Sequence, residues 1–352
     1  MPRFEDNIFG QISQHDWLNV GFNVTRQNDP IDALLDDVRT DNLVAEWESL
    51  AAEYQIPRMA QFHGFDTEAQ TTVRFPIDSH NIEKGLIKVK INQSERLRAL
   101  SKNIPNSAMY DYVLDDGINL AEQVFTRSKV AKNELLAYGK VTIKENNLDL
   151  TVDYGVPTNH TNLQLDLGVN ADIPGQLQTI IDNAMDEGVT FNTIVTSKKN
   201  VNKIRKNTAV QQVINGSAME GALVRLDALE AYLSTEFGIE RIVTNDLLYA
   251  VDDGIDVATG RPKVKKHRYF PDDKVSFLST NANGRIGTGL WGNPPELDDP
   301  TITANFSGAF PFVYVSQHWE WDPHVLWTKA SGLFMPVLFS PDSLFIATVT
   351  GE

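Results

Sequence analysis

Between Pro105 and Gly139 the chain runs about 33 residues without a proline, and no other stretch limits the fold as strongly. Asn106 and Ser107 are candidate N-caps, and Gly139 is a C-terminal stop. Met109, Val113, Leu120, Val124, Ala131 and Leu135 form an apolar stripe, with Asp111, Asp115, Glu122, Arg127 and Lys129 on the polar faces. One helix of about 50 Å is predicted. A compact globule of 352 residues has a radius of gyration of only about 20 Å. The helix therefore crosses nearly the full width of the molecule, and an elongated body is expected.

Ahead of the helix the period changes to two. Thr71, Val73, Phe75 and Ile77 alternate with Thr72, Arg74 and Pro76, and Ile87, Val89 and Ile91 alternate with Lys88 and Lys90. Residues 57–92 read as an extended β-ribbon, with the polar segment Asp78–Gly85 at its tip. A lone two-stranded ribbon is marginal in water. Its apolar face needs cover from another part of the chain or from another chain. Residues 1–56 carry two acidic helical patterns, near Asp6–Gln14 and Ile31–Tyr54, and read as an arm that packs on something else.

Beyond the helix, Lys140–Lys144 and Leu148–Tyr154 pair around the turn Glu145-Asn146-Asn147. Helices at Pro174–Glu187, Lys198–Ile214 and Leu223–Phe237 interleave with strands at Phe191–Thr196 and Ile239–Thr244, which predicts a small sheet covered by helices. Leu247–Val251 and Lys263–Tyr269 form a hairpin, and Lys274–Ser279 adds a strand. Asn281–Thr303, with six glycines or prolines between Gly284 and Pro295, reads as a long irregular loop. Phe312–Trp319, Trp327–Met335 and Leu344–Val349 return as β structure, expected to join strands laid down before residue 155. Pro336 and Pro341 break the apolar tail into short strands. The fold class is α+β.

Composition narrows the function. Forty-seven acidic residues against 31 basic ones give a net charge of −16, which argues against nucleic-acid binding driven by counterion release. With 41% hydrophobic and 22% charged residues the chain has enough apolar content for a core. The absence of cysteine removes disulfides, thiolate zinc sites and a cysteine nucleophile. No signal peptide follows Met1-Pro2-Arg3, and no run approaches the roughly 20 apolar residues of a membrane span.

The motifs with enzymatic overtones each lack a part. His318, Glu320, Asp322 and His324 fall on one face of a strand and suit zinc or iron by type. Pro323 interrupts that strand, however, and a polar face flanked by tryptophans is the simpler reading. Gly284-Arg285-Ile286-Gly287-Thr288-Gly289 has no Lys-Ser/Thr after it and reads as a loop. Asp252-Asp253-Gly254-Ile255-Asp256 lacks the later glutamate of a calcium loop and reads as a hairpin turn. The run Lys198, Lys199, Lys203, Arg205 and Lys206 reads as a solvated helix face. No catalytic, cofactor-binding or metal residues are assigned, and no cofactor is expected.

What remains is shape: an arm, a ribbon, a long helix, a helix-and-strand lobe and a closing sheet. The order of these elements resembles the lambda-type family of tailed-phage major capsid proteins. The carrying residues are Trp327-Thr328-Lys329-Ala330-Ser331-Gly332-Leu333-Phe334-Met335-Pro336-Val337-Leu338 with Pro341-Asp342, Tyr269-Phe270-Pro271-Asp272-Asp273-Lys274-Val275, and Tyr138-Gly139-Lys140-Val141. The resemblance implies the Hong-Kong-97-type capsid fold. Residues 1–56 resemble its N-arm and 57–92 its E-loop. Residues 93–160 and 310–352 resemble the peripheral domain, with a spine helix at about 106–138, and 161–309 the axial domain. It further implies a bacteriophage head protein that assembles in the host cytoplasm into pentamers and hexamers of an icosahedral virion shell. That shell encloses double-stranded DNA without sequence-specific binding and makes no use of a membrane. Scaffolding, portal and decoration proteins are the implied partners. Arg74, Phe75, Ile77, Lys84, Lys88 and Lys90 are the implied inter-subunit contacts of the E-loop. The same fold serves encapsulins, compartment shells that enclose a cargo enzyme, and a metal-dependent enzyme built on residues 318–324 is a third alternative.

Overall fold

In the computed structural model helix α1 spans Asn106–Tyr138, the length the sequence predicts. It stops where Gly139 takes φ +67° and donates its N–H to Leu135 O at 2.8 Å. The left-handed turn favours glycine, and a Cβ there would come within 3.0 Å of Val156. Leu120, Ala121, Val124 and Phe125 are buried on one face, but from Ser128 to Ala137 nearly every side chain is buried. That half of α1 lies between layers, so it has no solvated face.

The structure describes residues 28–49, 59, 78–93, 106–216, 222–255, 262–297, 303–306, 312–320, 322 and 325–351. A 3-10 turn at Pro30–Ala33 leads into strands β1 (Leu35–Arg39) and β2 (Val44–Ser49), followed by β3 (Asp78–Glu83) and β4 (Gly85–Gln93). After α1 come hairpin β5 (Lys140–Glu145) and β6 (Leu148–Asp153), helix α2 (Thr158–Thr161), β7 (Leu163–Asp166), α3 (Ile173–Asp186) and β8 (Thr193–Thr196). Helices α4 (Lys198–Lys206), α5 (Thr208–Asn215) and α6 (Leu226–Phe237) precede β9 (Arg241–Thr244) and the hairpin β10 (Leu248–Ile255) and β11 (Pro262–Arg268). Strands β12 (Lys274–Leu278), β13 (Gly287–Gly292), β14 (Thr303–Phe306), β15 (Tyr314–Glu320), β16 (Val325–Leu338) and β17 (Leu344–Thr350) complete the chain.

Two larger sheets and three two-stranded pairs, β2–β3, β5–β6 and β10–β11, carry the strands. The first has the order β1-β13-β16-β15-β14, with β4 on the other edge of β16. β16 is its axis: β4 pairs along Leu326–Phe334, while β15 and β13 lie end to end along the opposite edge. Trp291, fully buried, centres the first core, with Phe125, Phe312 and Phe334 rings 4.7–5.5 Å away. The second sheet, β7-β17-β12-β8-β9, packs against α3 and α6 through Leu177, Ile181, Leu229, Leu233 and Phe277.

Several expectations are corrected. Ile31–Tyr54 does not form a helix up to Ser49: β1 runs parallel to β13, and long-range partners for Asp37 override the local period. Asp78–Glu83, expected as a loop tip, is strand β3 and pairs with β2. Ile87–Ile91 belongs to β4 in the body sheet rather than to a free ribbon, because Ile87 and Val89 pack on the first core. Residues 71–77 and the Asp6–Gln14 pattern lie outside the described residues. Lys198–Ile214 divides at Asn207, whose Oδ1 caps α5 through Val210 N–H and whose Nδ2 donates to the carbonyls of Gly168, Val169 and Ala171.

The expected loop 281–303 contains β13. A Cβ on Gly287 would fall 2.1 Å from Val337 O, and one on Gly289 2.5 Å from Asp37 Oδ1. These glycines let strands close up rather than cradle phosphate. β16 continues through Pro336, whose missing N–H is tolerated because β4 ends opposite Phe334. β17 joins β12 and β7, not strands before residue 155. Thus 287–292 lies in the sheet of 325–338, and 344–350 in the sheet of 193–196, on the other side of the expected 309/310 division.

Candidate assembly surface

Before a chain can present an arm or ribbon, it must anchor the root. Asp29, 4% exposed, accepts hydrogen bonds from Ile31 N–H, from Asn133 Nδ2 on α1 and from Asn245 Nδ2 after β9, at 2.9–3.0 Å. Burial raises the Asp29 carboxyl pKa, and the Ile31 and Asn133 donors oppose that shift. Farther along the same segment, Asp32 and Asp37 lie 2.8 Å and 2.9 Å from the Lys132 ammonium on α1. Asp37 also accepts from Trp291 Nε1, and burial raises its pKa against the pull of Lys132. The segment 29–39 is thus fastened by polar groups that reach it from α1, β13 and the end of β9.

From this anchorage β2 and β3 leave as an antiparallel pair, Val44–Ser49 against Glu83–Asp78. Lys84 follows at once, and it does not face a neighbour: it is 2% exposed, and its Nζ donates to Thr40 and Asn42 within the same chain. Lys88 and Lys90 are exposed on the outer face of β4, with Lys90 Nζ 4.0 Å from the Trp327 ring centre. Arg74, Phe75 and Ile77 lie outside the described residues.

The same region holds His318 and Glu320 of the 318–324 cluster, whose His324 lies outside the described residues. Glu320 Oε2 accepts from Trp327 Nε1 at 2.6 Å. His318 has a lowered pKa, first from partial burial and then from Lys90 and Lys329 nearby. Lys329 is itself paired with Glu296, whose carboxyl it holds below the usual range. Glu320 opposes the His318 shift, and among the described residues no three His, Asp or Glu side chains gather to hold a metal.

A groove of about 1000 Å³ lies on the other flank of α1, between β5 and β10. Its lining includes Asp116, Glu122, Glu134, Glu145 and Asp252 against Arg127 and Lys144, and Arg127 already pairs with Glu145 at 2.8 Å. Burial raises the Asp116 and Glu134 pKa values, and Asp115 adds to the shift at Asp116. Among the described residues β5 pairs only with β6 and β10 only with β11, so neither has a further strand beside it, and on β5 the Thr142 N–H donates instead to Glu134. The hairpins also carry apolar side chains in water, among them Leu148, 62% exposed, and Ile255, 71% exposed. One chain therefore offers a cationic strand face and an acidic groove, the requirement for heterologous contact between copies.

Sequence reasoning missed the anchor residues Asp29, Lys132, Asn133 and Asn245 and the groove carboxylates. One signal was available: Lys132 and Asn133 sit between the stripe residues Ala131 and Leu135, where a helix held on all sides needs polar partners. Asn245, 112 residues from Asn133, carried no local signal.

Comparison with known proteins places this geometry. A family model described as phage major capsid protein E matches residues 63–349. The putative capsid protein of a prophage of Escherichia coli CFT073 superposes with a TM-score of 0.54 at 11% identity, over 96% of this chain and 97% of that one. A phage-related protein from Bordetella bronchiseptica RB50 gives 0.51 at 10% identity, over 95% and 96%. The capsid of cyanophage A-1(L) gives 0.50 at 13% identity, over 93% and 94%. At these identities the likeness establishes a shared fold. No curated protein sequence matches significantly.

Proposed function

This chain belongs to the phage major capsid protein E family and has the α+β Hong-Kong-97-type fold of phage capsids, and from that premise we propose how it builds a head. Copies associate head to tail into pentamers and hexamers of an icosahedral shell around the double-stranded DNA of a tailed phage. The family match over residues 63–349 carries this reading, and it favours a phage shell over a cargo compartment. The family is structural, and the shell it builds is the capsid of a virion.

The contacts follow from charge and exposure. Lys88 and Lys90, on a face that β16 leaves open, meet an acidic surface on the next copy, for which the groove between β5 and β10 is suited. Arg74, Phe75 and Ile77 extend that contact, and the part of the arm that precedes the anchored segment 29–39 clamps a further neighbour. Helix α1 with the first sheet forms the peripheral domain, and the second sheet, which takes in β17, meets its copies around the symmetry axes with its helices. A separate scaffolding protein, a portal and decoration proteins complete assembly in the host cytoplasm. The net charge of −16 supports a lining over which DNA slides.

The double variant Lys88→Glu/Lys90→Glu tests the contact. Both side chains are exposed, so the stability of the free chain should change by about 0.5 kcal/mol or less. Sedimenting shells should fall at least about tenfold through charge repulsion. Shell yield equal to wild type would exclude these lysines from the interface.

A further inference from the structure

Lys84 is the single residue between the returning ribbon strand β3 and the body strand β4. Its backbone N–H donates to Leu43 O at 3.1 Å, which ties the ribbon's return to its departure. Its side chain turns inward, and Nζ donates to Thr40 Oγ1 and Asn42 O at 2.5 Å, to Thr40 O at 3.1 Å and to Trp291 O at 3.5 Å. Thr40 N–H in turn donates to Trp291 O at 2.8 Å. Gly292 leaves the room for this: a Cβ there would lie 3.2 Å from Lys84 Cδ and 3.3 Å from Nζ.

The arrangement is unusual for a lysine. A buried ammonium is costly unless hydrogen bonds replace its water, and here every acceptor is a neutral oxygen in the segment entering the ribbon or at the end of β13. An apolar plug would fill the space equally well. Directed bonds from one charged group to Thr40, Asn42 and Trp291 do something a plug cannot: they fix the direction in which two strands leave a sheet. Beyond this knot, among the described side chains, buried Ala45 and half-buried Ile82 hold the ribbon.

We infer that Lys84 is a positioning residue, a pin at the ribbon root that sets the angle at which one copy's ribbon reaches the next. The inference rests on the capsid reading for its consequence, but not for its geometry. Packed cores and interfaces switch between discrete arrangements rather than bend continuously, so a loosened root should yield several inter-subunit angles where the pinned root yields one.

The test uses the full-length chain, free and assembled, as wild type and as Lys84→Met, which keeps the stem and removes the donors. In the free variant the amides of 44–49 and 78–83 should exchange at least tenfold faster than in wild type, with 128–137 unchanged. Its particles should spread over several diameters or stay open. Unchanged ribbon exchange, or shells of one wild-type diameter, would overturn the inference. Where Lys84→Met does not fold, Thr40→Val removes one acceptor and Gly292→Ala presses on Nζ. Each should give a smaller rise confined to the same amides, and no rise refutes the pin. A wild-type chain that closes no particles would instead count against the capsid reading, leaving the exchange comparison intact.

Discussion

Asp29 and Asp37 hold their carboxyls inside the protein, and burial lifts both above 3.8, the ordinary aspartate value. Below that value both are neutral in the folded and unfolded chain, and their full contribution to stability is present. As pH rises through the raised folded values, protons must leave buried carboxyls and that contribution is lost. Mild acid should therefore tighten the anchor of residues 29–39. Urea unfolding at pH 4.5 and 7.5 should show wild type losing more stability with rising pH than Asp29→Asn, and equal losses would contradict the assignment. Gly289→Ala should cost about 1–3 kcal/mol, because the new Cβ would meet Asp37 and Lys132 Cε at 2.5 and 2.9 Å. A change under about 0.5 kcal/mol in denaturant unfolding would show that the strands can part. The spacing G-x-x-G-x-G was visible in the sequence, but its purpose was not: it depends on Val337, Asp37 and Lys132, all distant in the chain.

Among elements, those whose partners are local were legible. Helix α1, hairpin β5–β6 and hairpin β10–β11 appear within a few residues of expectation, the first from its caps, the second from Asn146 and Asn147 in the positive-φ turn. Among elements whose pairing is distant, β8, β9, β12, β15, β16 and β17 were legible as strands from their own apolar runs, though their partners were not, while β1, β3 and β13 were missed as strands. β1 is a strand because β13 accepts it, 252 positions away in register at Leu35 and Gly287, and β3 because β2 does. The ribbon consequently starts at Val44 and returns by Glu83, while Gly85–Gln93 is part of the body. Deletions separate the two roles. Removing 85–93 takes from β16 its neighbour along Leu326–Phe334 and should prevent folding, seen as loss of cooperative thermal unfolding. Joining Ser49 to Asp78 through an Asn-Gly turn should leave folding intact and abolish shells. A folded chain in the first case, or shells in the second, would contradict this division.

At the scale of the whole molecule, one chain carries an acidic groove, a cationic strand face and two hairpins with apolar side chains in water. These features do not complete one another within the described chain, and a repeated head-to-tail contact would cover them. The acidity was legible from composition, whereas the groove carboxylates were not, since α1, β5 and β10 meet only in three dimensions. Electron microscopy of the purified full-length chain tests the central claim most directly. Closed particles tens of nanometres across, the scale expected of a shell built from hundreds of roughly 5 nm subunits, are predicted. A discrete oligomer of a few copies, stable across concentration, would contradict it.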